Sequence, residues 1–204
     1  MKLELVEQIV RWTAAAGLLV FIIIAFGGIF SMRKRPHGRT EGKLAWFLRW
    51  PVYFIIAALY VGICWFLWKP VPLEFPVSVR WIFIILGVLL YFGGLGLYFW
   101  GRFTLGNMFG GSSGFAVQLY ADHKLVTHGP FAIVRHPLYL GVMIASLGAL
   151  LIYQNWATVF LFLCFIWLPF RVRKEEIALA KEFGEEWRGY CRRVGAFIPR
   201  FRRN

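Results

Sequence analysis

Acidic residues are scarce in this chain. Its 204 residues include 10 Asp and Glu against 23 Lys and Arg, a net charge of +13. On a soluble protein that excess would point to nucleic acid. Here the basic residues flank long apolar runs, so membrane topology and anionic lipid account for them. Cysteine is scarcer still. Cys64 and Cys164 lie in apolar stretches and Cys191 in a basic tail, with no C-x-x-C, so neither a disulfide framework nor a cysteine zinc site is expected. There is no internal repeat and no low-complexity domain. The glycine-rich stretch from Gly106 to Gly114 does not match G-x-G-x-x-G and no strand precedes it, so it reads as a flexible connector.

Apolar residues are abundant. They make up 59% of the chain, against about 45–50% in a soluble domain. The excess falls in five runs: Val6–Phe30, Ala45–Trp68, Val77–Trp100, Leu138–Tyr153 and Trp156–Phe170. A helix crossing a hydrocarbon core of about 30 Å needs roughly 20 residues, which the first three runs supply. The last two are shorter, and Gln154-Asn155 between them reads as the turn of a tight helical hairpin. Aromatics reach 19%, and Trp46, Trp50, Trp65, Trp68, Trp81, Trp100 and Trp156 lie near run ends, where an amphipathic ring suits the membrane interface. The first run is longer than a signal-peptide core and is followed by Arg33-Lys34-Arg35 rather than a small-residue cleavage site, so it reads as a retained anchor.

The fold expected is therefore all-α: an integral membrane bundle of about five transmembrane helices, with a C-terminal hairpin and an amphipathic tail helix. Ile177, Leu179, Ala180, Phe183 and Trp187 form the apolar stripe of that tail. The expected division places three membrane helices in 1–104 and a catalytic region in 105–204. With five crossings, 19 of the Lys and Arg fall on the side of the first loop, third loop and tail, and 4 on the other. That bias puts the N-terminus outside and the C-terminus in the cytoplasm, in a multi-pass membrane protein. Gly87, Gly93, Gly94, Gly96 and Gly101 in the third run suit close helix packing, or a groove for a lipid tail.

Polar chemistry concentrates in two clusters, one on each side of the hairpin. The first runs from His123 to Gly141 and holds His123, His128, Arg135 and His136, with a turn at His128-Gly129-Pro130-Phe131. Pro137 suits the first turn of the following helix, where its missing N–H costs nothing, and Tyr139 falls near the helix N-terminus, an end that attracts anions. The histidine spacings include no H-E-x-x-H and no cysteine partner, so no metal is expected. The second cluster, Arg171 to Glu176, follows the last run. Arg171 and Glu175 are four apart on a presumed helix and can pair. Ionisable residues at a bilayer edge mark a functional site by default. Glutamate would suit the amino group of a ligand, and Arg or His its carboxylate.

At these residues the chain resembles the isoprenylcysteine carboxyl methyltransferases and the related phospholipid methyltransferases. The matching pattern is His123-Lys124-Leu125-Val126, Gly129-Pro130-Phe131 and Arg135-His136-Pro137-x-Tyr139-x-Gly141. It continues with Glu175-Glu176, Leu179, Phe183-Gly184, Trp187, Tyr190 and Phe197-Ile198-Pro199. The resemblance implies S-adenosylmethionine as methyl donor, with contacts at His123, Leu125, Val126, Gly129, Phe131, Arg135, His136, Tyr139 and Glu176. It places Arg171 and Glu175 nearer the acceptor, as catalytic residues. The family pattern has Tyr where this chain has Phe131, so that hydroxyl is missing here. The acceptor implied is a membrane lipid or a prenylated molecule, methylated on a carboxylate. Phospholipid N-methylation is the alternative, and a non-catalytic scaffold or a small transporter the readings from other classes.

Overall fold

The structure is a computed structural model that describes residues 2–32, 37–41, 50–109, 117–120, 124–166 and 168–200. Six helices dominate the described residues: α1 (Lys2–Met32), α2 (Trp50–Phe66), α3 (Val77–Leu105), α4 (Pro137–Tyr153), α5 (Trp156–Ile166) and α6 (Leu168–Arg193). Prolines punctuate them. Pro70, Pro72 and Pro76 fill the connection between α2 and α3, where each removes an N–H and biases its predecessor away from helix. Pro137 opens α4 as its first residue. Among the described residues, α1 over Lys2–Ala25 and Val77–Met108 are long and apolar enough to cross a membrane, while Ile55–Phe66, Pro137–Tyr153 and Trp156–Phe165 are apolar but shorter. Their outward faces stay apolar: Trp12 is 71% and Trp65 85% exposed, and Ile23, Leu59, Val61 and Leu89 are exposed as well. Water would not tolerate so much apolar surface, whereas lipid does.

Close backbone approach joins α3 to α4. Gly87, Gly94 and Gly101 recur every seven residues on α3, and Gly141 and Gly148 every seven on α4. A Cβ on Gly94 would lie 2.5 Å from the Gly141 carbonyl oxygen, and one on Gly148 would strike the Tyr91 nitrogen. Without a hydrophobic driving force in lipid, such backbone proximity and dispersion hold helices together. These pairs also show that α3 and α4 run antiparallel. On the other side, α1 runs parallel to α3: the Tyr91 hydroxyl donates to the Ala14 carbonyl at 2.8 Å, and the rings of Phe21 and Tyr98 lie 4.6 Å apart. Tyr60 of α2 meets Phe160 of α5, ring centroids 5.7 Å apart.

The hairpin turn falls at Gln154-Asn155. Gln154 is left-handed (φ 50°, ψ 44°), and Asn155 caps α5 by accepting the Thr158 N–H at 2.9 Å. Three boundaries differ from the sequence reading. The fifth apolar run does not continue to Phe170; α5 stops at Ile166 and α6 begins at Leu168, because Pro169 suits a first helical turn and not an interior. The tail helix thus starts at Leu168, ahead of the stripe that begins at Ile177, and includes Arg171. It breaks at Gly184 (φ 49°, ψ −117°), a backbone conformation that a side chain would oppose. α3 extends beyond Trp100 to Leu105. The start of the second run, Ala45 to Arg49, lies outside the described residues, as do residues 110–116 of the connector.

The all-α expectation also needs one correction. β1 (His37–Glu41) pairs antiparallel with β2 (Val117–Tyr120), in register His37 with Tyr120, Thr40 with Gln118 and Glu41 with Val117. Two segments that fall in the first and third loops of the sequence reading satisfy their backbone groups on each other in this short ribbon.

Candidate functional site

The first polar cluster is a short path of irregular chain that leads into α4. Gly129–Ala132 forms one tight helical turn, in which Pro130 is fully buried and Phe131 nearly so. The Tyr190 hydroxyl of α6 donates to the Phe131 carbonyl at 2.6 Å; burial pushes that phenol up to about 12. Because His136 precedes proline it cannot join the helix (φ −124°, ψ 61°), yet its carbonyl accepts the Leu140 N–H at 3.0 Å and starts α4. Its side chain is thereby turned toward α6.

Glu176 is where the two clusters join. Its Oε1 accepts from Arg135 Nε at 3.0 Å, from Arg135 Nη2 at 2.7 Å and from His136 Nε2 at 3.0 Å. The side chains of Arg135 and His136 are 10% and 4% exposed, that of Glu176 26%. The imidazole and then the guanidinium hold the Glu176 carboxyl below the usual carboxylate range, against burial, which raises it. One turn into α4, the Tyr139 hydroxyl donates to Glu175 Oε2 at 2.7 Å. The His136 ring lies between Tyr139 and Phe197, each 5.8 Å away by centroid.

A third segment completes the arrangement, and the sequence reading assigned it no role. After α6 the chain runs alongside residues 134–136. The N–H of Arg135 donates to the Gly195 carbonyl at 2.8 Å, and that of His136 to the Ala196 carbonyl at 3.1 Å. Arg135 Nη1 donates to the Val194 carbonyl at 2.6 Å. The family-like ending Phe197-Ile198-Pro199 was the one signal that this segment matters.

The expected site residues separate accordingly. Arg135, His136, Tyr139, Glu175 and Glu176 come together. Phe131 and Gly129 lie in the adjoining turn. Leu125 packs against Trp187, Tyr190 and Val194, a small apolar cluster under the polar one. Val126 is half-buried in the same connection. His123 lies outside the described residues. Arg171 is in α6 with its side chain outside them, so the expected Arg171–Glu175 pair lies outside the described residues as well; Glu175 accepts from Tyr139.

Residues 82–186, just over half of the chain, match the family model described as phospholipid methyltransferase. The chain belongs to this family. It is also 39% identical over 80 residues to the protein-S-isoprenylcysteine O-methyltransferase of Schizosaccharomyces pombe, which covers 38% of this chain and 34% of that one. Over 79 residues it is 37% identical to protein-S-isoprenylcysteine O-methyltransferase B of Arabidopsis thaliana, covering 38% of this chain and 40% of the relative. The corresponding protein of Mus musculus is 38% identical over 79 residues, 38% of this chain and 28% of its own. The matched part thus spans less than half the length of each of these relatives. The family model takes in α3 from Ile82, α4, α5 and α6 to Glu186, and so contains every residue of the Glu176 cluster but not the segment after Val194.

Proposed function

We propose that this chain is a membrane methyltransferase that uses S-adenosylmethionine and acts on a lipid or prenylated acceptor, by carboxyl O-methylation. The observation that carries the reading is the convergence of Arg135 and His136 on Glu176, because it brings both signs of charge within 3.0 Å at a half-buried spot. That donor set fits an amino-acid end, which itself carries an ammonium and a carboxylate. Glu176 would take the ammonium and His136 would stand beside the carboxylate. Arg135 enters as the cation that balances Glu176. Leu125, Val126, Gly129, Phe131 and Tyr139, with His123, would line the remainder. When bound, S-adenosylmethionine supplies a methyl group already activated on a sulfonium.

What remains for the protein is alignment and the exclusion of water. Tyr139 and Phe197 flank the imidazole and shield it. Glu175, held by Tyr139, and Arg171, one turn earlier on α6, would face the acceptor, which in this reading is an anion that Arg171 orients. The region 105–204 would act as the catalytic part, although α3 packs against α4 so closely that it is no separate domain. The charge bias supports a multi-pass orientation with the N-terminus outside and the site on the cytoplasmic side.

The test is in two steps. S-adenosylmethionine or its demethylated product should raise the melting temperature of the purified protein. Labelled methyl should then pass into a lipid extract as a base-labile ester. No thermal shift and no transfer would favour a scaffold or transporter. The description of the matching family favours a second reading, phospholipid N-methylation, and a base-stable methylamine product would establish it.

A further inference from the structure

The Arg135 side chain bonds two separate parts of the chain. Nε and Nη2 donate to Glu176 Oε1, and Nη1 donates to the Val194 carbonyl at 2.6 Å and the Cys191 carbonyl at 3.5 Å. The guanidinium is a rigid planar fork, so these bonds hold its two sides against two different segments at once. The backbone adds to the tie through Gly195 and Ala196. Gly195 sits in a turn too tight for a side chain, since a Cβ there would collide with the Ile198 carbonyl oxygen.

The consequence falls on Glu176. Its Oε1 accepts three N–H bonds, while among the described residues Oε2 accepts none. A carboxylate oxygen offers about two lone-pair directions, so Oε1 is filled and the acceptor capacity of the acid is turned to Oε2.

We propose that Arg135 is a positioning residue: it ties the C-terminal segment Val194–Phe197 to Glu176 and thereby aims Glu176 Oε2 at the ammonium end of the methyl donor. The segment belongs to the site although it touches the donor through nothing of its own; it acts through the arginine and, by way of Phe197, through the His136 ring. This inference rests on the methyl-transfer reading and deepens it, by naming what sets donor affinity.

The experiment is a double-mutant cycle on the full chain in lipid nanodiscs, with Arg135→Lys, Gly195→Ala and both together. Lysine keeps the charge but cannot bridge Glu176 and Val194, and alanine displaces the segment without touching either acid. Each single variant is expected to raise the KM for S-adenosylmethionine about ten-fold, the worth of a charged hydrogen bond. The acceptor KM should stay as in the wild type. The double variant should be no worse than the poorer single, because both break one linkage. Additive losses, equal rises in both KM values, or an unchanged donor KM in either single would overturn the proposal. If Gly195→Ala yields no folded protein, Arg135→Lys alone decides, by whether the donor KM rises while the acceptor KM does not. A wild type that transfers no methyl would overturn the function and this inference together; one that transfers while Arg135→Lys keeps its donor KM would overturn this inference alone.

Discussion

Two ion pairs, at opposite ends of the bundle, are built differently. At the N-terminal end of α1, Arg80 donates Nε to Glu7 Oε1 at 2.9 Å and Nη2 to Oε2 at 2.6 Å. Among the described residues each acid oxygen has one partner, and the pair closes on itself. Arg11 and Tyr153 complete that end, the tyrosine hydroxyl reaching the Arg11 carbonyl at 2.6 Å. At the other end Arg135 and His136 crowd onto a single oxygen of Glu176. A closed pair is a staple between two helices. A lopsided one leaves acceptor capacity for a ligand and uses two neighbours to direct it. The difference separates a structural contact from a candidate binding contact, although both are short and both join distant parts of the chain.

That contrast breaks most readily at Glu176. Glu176→Gln is expected to lower affinity for S-adenosylmethionine about 100-fold, the cost of removing one member of a buried charge network, as read by calorimetric titration. Wild-type affinity would place Glu176 with the staples. Tyr139→Phe, which takes the donor from Glu175, should reduce turnover about ten-fold, as loss of a hydrogen bond to a charged group does, in the labelled-methyl assay.

Acid should distinguish the two ends next. The Glu176 carboxyl is depressed in the folded protein, so the stability it contributes is present above its unfolded pKa and is lost as pH falls through the lower folded value. Melting followed from neutral pH into that acidic range should show a loss in the wild type that is smaller in Glu176→Gln. The least effect is expected at the staple. Glu7→Gln should cost about 1 kcal/mol or less, as partly exposed pairs do, visible as a small drop in melting temperature with methyl transfer unchanged.

Much of the helical scaffold was legible. Long Leu, Ile and Phe runs exclude water whatever surrounds them, and Gln154-Asn155 between two such runs marks a turn. The end of α5 was not, because Phe165 to Phe170 reads as one apolar run and only Pro169, as the start of a new helix, divides it. The β-ribbon was missed because His37–Glu41 and Val117–Tyr120 are short, the first carries no apolar side chain, and they pair across some 80 positions. At the site, residue types were legible and partners were not. Helical spacing offers Glu175 partners only on its own helix, and the bond it accepts from Tyr139, 36 positions earlier, leaves no trace in that spacing. The carbonyls of Val194, Gly195 and Ala196 carry no side-chain signature at all.

What the sequence determined by itself was the solvent of this protein and the inventory of its chemistry. Apolar runs select lipid through transfer free energy alone, and the positions of Arg135, His136, Glu175 and Glu176 follow from the order of residues. What only the tertiary structure decided was which oxygen of Glu176 is filled and which segment holds Arg135 in place. Hydrogen bonds depend on direction and on tenths of an ångström, and these are set here by glycines that bring α3 against α4 and by a chain end that returns to residues 134–136.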